Sequence, residues 1–153
     1  MKPRHLRLGM NLWPPFLGAG IRVRHIAEDW SEVIVDLRHG LMNRNYVGTH
    51  YGGSLFSMTD PFYALMLMHL LGERYLVWDQ AASIEFVAPG RGTVTARFAL
   101  SPQRVDEIRA QAASGEKVLP KFDVEVRGSD NALVARVRKT LYVRLKPRFR
   151  SNG

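Results

Sequence analysis

No cysteine occurs anywhere in the 153 residues. Disulfides, zinc–thiolate centres and cysteine nucleophiles are therefore excluded. A long apolar run is missing too. The most apolar stretch, residues 52–71 (GGSLFSMTDPFYALMLMHLL), is short and interrupted for a bilayer, which takes about 20 apolar residues. No membrane span is expected from it. Near the basic N-terminus the apolar run is cut by Asn11, Pro14, Pro15 and Gly18. That makes a poor secretory signal, and the expected location is cytoplasmic. Acidic residues are scarce, with 14 Asp and Glu against 22 Lys and Arg, for a net charge of +8. Such a field favours anionic partners by long-range attraction. Part of the charge lies in the tail RLKPRFR at 144–150, which is expected to be mobile. The basic residues are scattered and not set beside an aromatic stacking platform, so nucleic acid is not an expected partner.

The length fits one domain, here spanning 1–153. The stretch at 52–71 organises it. A helix apolar on all sides must be buried on all sides, so this is expected to be a central helix, ended by Gly72. Before it, residues 2–12 read as a short amphipathic helix, stopped by Trp13-Pro14-Pro15. Alternating apolar residues then give two strands, through Ile21 and Val23 and through Val33, Val35 and Leu37. After the central helix, 75–87 and 93–100 read as strands. A helix starts at Ser101-Pro102, with Ser101 as its N-cap. Two more strands follow, one through Phe122, Val124 and Val126, the other from Leu133 to Leu145. Most of the later links are short, so antiparallel pairing is expected. The sheet must bury its apolar side, and the central helix is the element apolar enough to receive it.

Asp60 is the one carboxylate in the central stretch, and burial is expected for it. Gly53, Ser57, Asp60 and Ala64 follow helical spacing and share a face. Apart from Asp60 that face is small, which leaves room for a substrate. Free N–H groups at a helix start, with no side chains at Gly52 and Gly53, can approach an oxygen and stabilise an oxyanion. Asp60 can activate water as a general base or attack directly. The alternatives stay open at this point. Asp60-Pro61 is a good helix start, with Asp60 as a cap, and Pro61 is expected to kink the helix. The glycines can serve packing alone, and His50 and Asn45 can be ordinary loop residues. Lys139 falls on the apolar side of its strand. A bulge that rotates it outward is the expected solution; otherwise it is an inward cation able to meet Asp60 or an anionic ligand.

Residues 43–60, NRNYVGTHYGGSLFSMTD, resemble the hotdog-fold thioesterases. Members carry a Gly-Gly pair at the start of the central helix and an acid about two turns later. IEFVAPGRG at 84–92 is similar to their following strand and turn, and NLWPPF at 11–16 adds to the likeness. The chain resembles most the DUF4442 branch, related to the phenylacetic-acid-pathway type of acyl-CoA thioesterase. One departure is visible. The pattern usually has His directly before the glycines, whereas here Tyr51 stands there and His50 one residue earlier. The resemblance implies an α+β hotdog fold, a curved antiparallel sheet wrapped around one long central helix. It implies a homodimer or tetramer with the acyl pocket between subunits. The implied reaction is hydrolysis of an acyl-CoA thioester, with Asp60, Gly53, His50 and Asn45 as catalytic candidates. Gly52, Tyr51, Ser54, Ser57, Arg91, Arg138 and Lys139 are the candidates for substrate contact. Coenzyme A enters as part of the substrate, and no metal or resident cofactor is expected. The alternative is a hotdog protein that binds acyl-CoA or a fatty-acyl chain without cleaving it.

Overall fold

The computed structural model describes residues 1–150. Helix α1 (Pro3–Leu12) leads into α2 (Pro14–Ala19), strands β1 (Ile21–Ile26) and β2 (Glu32–Leu37), and a long loop. The central segment is α3 (Gly52–Ser57) followed by α4 (Phe62–Leu71). Then come β3 (Tyr75–Phe86), β4 (Val94–Ala99), α5 (Pro102–Ala112), β5 (Lys121–Gly128) and β6 (Leu133–Leu145). The six strands form one sheet in the order β1-β2-β4-β5-β6-β3, antiparallel at every pairing. This is the expected α+β architecture, a sheet wrapped on a central helical segment. The Pro89–Gly92 stretch is not a hairpin, because β3 and β4 lie at separate places in the sheet.

Alternation along the strands explains which side is buried. Val33, Val35 and Leu37 of β2, Val94, Ala96 and Phe98 of β4, and Val137, Leu141 and Val143 of β6 are all withdrawn from solvent. They meet α4, where Phe62, Met66 and Leu67 are buried, in line with an element apolar nearly all round. Phe62 joins the layers, 6.2 Å from Phe16 of α2 and 5.0 Å from Phe98 of β4 between ring centroids. Tyr63 stacks on Phe122 and donates its hydroxyl to the Asp123 carbonyl at 3.0 Å. Burial, with the Asp123 carboxylate nearby, pushes that phenol up to about 12. His69 is half-buried: it lies flat on Trp30 with centroids 3.5 Å apart, and its Nδ1 meets the Leu65 carbonyl.

Two expectations are corrected here, and the kink expected at Pro61 is borne out. Trp13-Pro14-Pro15 ends α1 but also starts α2. Pro14 takes the first helical position, where its missing N–H costs nothing, and Gly20 closes the helix with φ of 77°. The central helix is not one rod. It breaks over residues 58–61, because Pro61 has no N–H to continue the ladder. The basic tail is held: β6 runs to Leu145, Arg144 donates to the Gly115 carbonyl at 2.7 Å, and Arg150 to the Leu145 carbonyl at 2.8 Å.

The two edges of the sheet are treated differently. Edge β1 is covered by α1, whose Asn11 amide clamps Val23 through Nδ2–H to its carbonyl (3.0 Å) and Oδ1 from its N–H (2.7 Å). Edge β3 is twelve residues long and pairs with β6 on one side alone. Its middle, Gln80 to Ser83, is exposed and made of small or neutral residues.

Phe62→Ala should destabilise the protein by about 3–5 kcal/mol, because it empties the joint between α2, α4 and β4. Urea denaturation measures this. A loss under about 1 kcal/mol would mean that this joint does not carry the packing.

Candidate active site

The break between α3 and α4 turns Asp60 away from the core. Its side chain is 69 % exposed, which corrects the expected burial. Asp60 is not a cap either. Pro61 holds the cap position of α4, and no side-chain hydrogen bond caps that helix. The Asp60 carboxylate is held instead by Lys139, with Nζ 3.3 Å from Oδ1. The same ammonium donates to the Asp60 backbone carbonyl at 2.7 Å.

Lys139 keeps strict alternation in β6 and points inward, with 0 % of its side chain exposed. The expected outward-rotating bulge in β6 is absent around it. A bulge lies instead on the neighbouring strand, where the pairing steps from Asp79↔Leu141 to Ala81↔Thr140 and leaves Gln80 extra. That extra residue lets Asp79 share the inner side with Val77 before Ala82, opposite Lys139, resumes it. Asp79 Oδ2 then lies 3.3 Å from Lys139 Nζ. A buried ammonium needs compensating charge, and here two carboxylates supply it. Burial pushes the Asp79 carboxyl up, against the lowering pull of Lys139. Its Oδ1 is buried without a hydrogen-bond partner among the described residues.

Beside Asp60 is a pocket of about 210 Å³, lined by Trp13, Pro15, Phe16, Phe56, Ser57 and Pro61. Ser57 and Gly53 are exposed like Asp60, whereas Ala64 is buried beyond the break. The four residues therefore do not share one open face.

A second cluster gathers at the start of α3. Among the described residues, the Gly52 and Gly53 amides have no acceptor; the first helical bonds run from Ser54 and Leu55 to the Tyr51 carbonyl. The Phe86 ring packs where a Gly52 side chain would be, and the exposed Tyr51 ring lies over Gly53. Ser54 is buried. Asn45 organises the loop. Its Nδ2 donates to Thr49 Oγ1 (2.9 Å) and the His50 carbonyl (3.2 Å), and its Oδ1 accepts from Val47 (3.1 Å) and Thr49 (3.0 Å). Those four bonds use the whole capacity of the amide, so it has none left for a ligand. His50 is 3 % exposed and donates from Nε2 to the Gly92 carbonyl at 2.7 Å. Its backbone N–H bonds to Gly90, where a side chain would crowd the His50 ring. His50 thus ties the Gly-rich turn to the loop. Its Nδ1 and His39 Nε2 are buried without partners among the described residues, with the two rings 4.9 Å apart. A pocket of about 340 Å³ runs along this cluster, from Asn45 and His50 to Phe86 and Gly90.

The remaining candidates lie apart. Arg91 is exposed and reaches the Gly48 carbonyl at 3.4 Å. Arg138 is on the outer side of β6, paired with Asp123 at 3.0 Å. The structure therefore joins Asp60, Ser57 and Lys139 in one place, and His50, Asn45 and Gly52 in another. Asp79 was missed from sequence, as was the aromatic wall of Trp13, Phe16 and Phe56. A signal for Asp79 was available: alternation from Tyr75 and Val77 counts it inward, and an inward lysine elsewhere requires an acid.

A sheet curled over a glycine-started helical segment is the hotdog architecture. The chain belongs to the family described as Domain of unknown function (DUF4442), which matches residues 4–143. No sequence among curated proteins matches it. Many solved structures share its fold, among them the three that follow. A protein of unknown function from Pseudomonas aeruginosa, called a probable thioesterase, has a TM-score of 0.81 at 18 % identity, over 94 % of this chain and 97 % of its own. A thioesterase from Haemophilus influenzae gives 0.68 at 17 %, over 95 % and 92 %. The E. coli PaaI protein, from the phenylacetic acid degradation operon, gives 0.61 at 18 %, over 94 % and 91 %. No helix among the described residues is long and apolar enough to cross a membrane.

Burial lowers the His50 pKa below its usual 6.5, the Gly92 bond opposing this and His39 adding to it. A base with a depressed folded pKa takes up its proton more readily when unfolded. Its contribution to stability is therefore present above about pH 6.5 and is lost as pH falls toward the folded value. Melting temperature should drop from pH 7.5 to pH 5.5, and the drop should be smaller in His50→Gln, which is less stable at pH 7.5. Equal pH dependence in both proteins would remove His50 as its source.

Proposed function

We propose that the protein is a cytoplasmic hydrolase of acyl-CoA thioesters, working as a homodimer or a larger even assembly. The observation that carries the reading is Asp60, a carboxylate exposed beside an aromatic pocket yet fixed from behind by a buried ammonium. The likeness of the fold to structures called thioesterases supports it. In this reading Asp60 accepts a proton from water as the water attacks the thioester carbon. The free amides at the start of α3 in a second subunit receive the developing oxyanion, because within one chain the length of α3 separates them from Asp60, and the thiolate leaves with coenzyme A. Trp13, Phe16 and Phe56 receive the near end of the acyl group. The net charge of +8 favours the anionic coenzyme, with Arg91 as the candidate contact at the glycine turn.

The oligomer is supported by the bare β3 edge. Twelve residues of strand with one edge free, neutral in the middle, form a template for a second strand of the same kind. Asp79 lies in β3 and Asp60 is linked to it through Lys139, so pairing there would bring a second subunit against the site. Sedimentation should give an even number of subunits. Ser83→Lys in both copies should weaken the assembly toward monomer by setting like charges face to face. A monomeric wild type would remove the shared pocket from the proposal.

A panel of acyl-CoA esters assayed for free thiol tests the reaction. Asp60→Asn should lower turnover by about 10²–10⁴-fold with the fold kept, because Asp79 and the backbone carbonyl at position 60 still hold the Lys139 ammonium. Unchanged hydrolysis by this variant would take Asp60 out of the mechanism. An acyl-CoA that raises the melting temperature of wild type without thiol release would make the protein a binder instead.

A further inference from the structure

We infer that Asp79 and Lys139 form a positioning pair for Asp60, with Lys139 holding the base in place and Asp79 setting how much of the ammonium charge Asp60 feels. The inference deepens the hydrolase reading and rests on Asp60 being its base.

The geometry is specific. Lys139 Nζ makes three contacts: the Asp60 carbonyl at 2.7 Å, Asp60 Oδ1 at 3.3 Å and Asp79 Oδ2 at 3.3 Å. Holding both the backbone and the carboxylate of one residue fixes the break between α3 and α4 and the direction of the base together. A lone structural ion pair needs only one acid. Here a second acid stands inward on β3 opposite Leu141, and the bulge directly after it brings Ala82 opposite Lys139.

The charged groups around Nζ come from few places. Asp60 approaches from the α3–α4 junction and Asp79 from β3. On β5, Phe122 stands opposite Lys139, while the Asp123 carboxylate is taken by Arg138 and Lys121 is exposed. On α4, Tyr63 turns its hydroxyl to the Asp123 carbonyl. The ammonium is thus divided between two carboxylates. Taking it away disfavours the ionised, base-competent form of Asp60. Taking Asp79's charge away leaves Asp60 the larger share and favours that form. Asp79 Oδ1, buried and without a partner among the described residues, fits a carboxylate placed for its charge more than for its hydrogen bonds.

The test uses the full chain with its aspartates labelled with ¹³C at the carboxyl carbon. The Asp60 signal is assigned by its loss in Asp60→Asn, and its titration is followed by NMR in wild type, Lys139→Met and Asp79→Asn. The Asp60 midpoint should rise in Lys139→Met and fall in Asp79→Asn. The two changes should be opposite in sign. The acid limb of kcat against pH should move in the same two directions, with KM within about twofold, since the pair acts through the base. A merely structural role would lower kcat or melting temperature and leave both midpoints and limb in place; that result overturns the inference. If the midpoints move but wild type releases no thiol from any ester, the pair's hold on Asp60 stands and the hydrolase reading falls. If thiol is released and the midpoints stay fixed, the hydrolase reading stands and this inference falls. Should Lys139→Met fail to fold, the near-isosteric Asp79→Asn decides alone.

Discussion

One ammonium inside the molecule must be neutralised, and much of the local structure follows from that requirement. Lys139 has no exposed surface. A charge so placed costs several kcal/mol unless it is paired and hydrogen-bonded. The nearest elements answer in different ways. The central segment breaks at Pro61 and offers both a carbonyl and a carboxylate. Strand β3 takes an extra residue and offers a second carboxylate. Three separate parts of the chain are therefore coupled through one nitrogen atom.

A different logic governs the start of α3. There the side chains with polar groups are spent on building the loop. Asn45 is saturated, and His50 ties the turn at Gly90 and Gly92. What stays free is backbone, the amides of Gly52 and Gly53. The site thus has a side-chain pole at Asp60 and a main-chain pole at the glycines. Its polar side chains at the main-chain pole act mainly as scaffold.

The fold was legible in the sequence because its signals are local and periodic. Alternation located the six strands, and a run apolar all round located the central segment. Ser101 capped α5 as read, with its hydroxyl accepting from the Arg104 N–H. Helix α2 was hidden because Pro-Pro signals a stop to one helix and a start to the next with the same residues. Asp60 was legible as an oddity, but its exposure was not, since a break over four residues rotates everything around it. Lys139 was visible as a violation of pattern. The repair was placed on the wrong strand, because nothing in β6 alone tells whether a neighbour will bring an acid. Register between strands is a tertiary property. For the same reason Asp79 was missed.

The bulge at Gln80 has an evolutionary corollary. The inward acid depends on the count of backbone units before Ala82, not merely on which amino acid occupies position 79. Loss of Trp78 would use up the spare residue and swing the acid to the opposite side with its identity untouched, whereas loss of Gln80 would leave it opposite Leu141. Relatives that share every polar side chain of this cluster can therefore differ in whether the cluster assembles, and aligning their letters without gaps would conceal it.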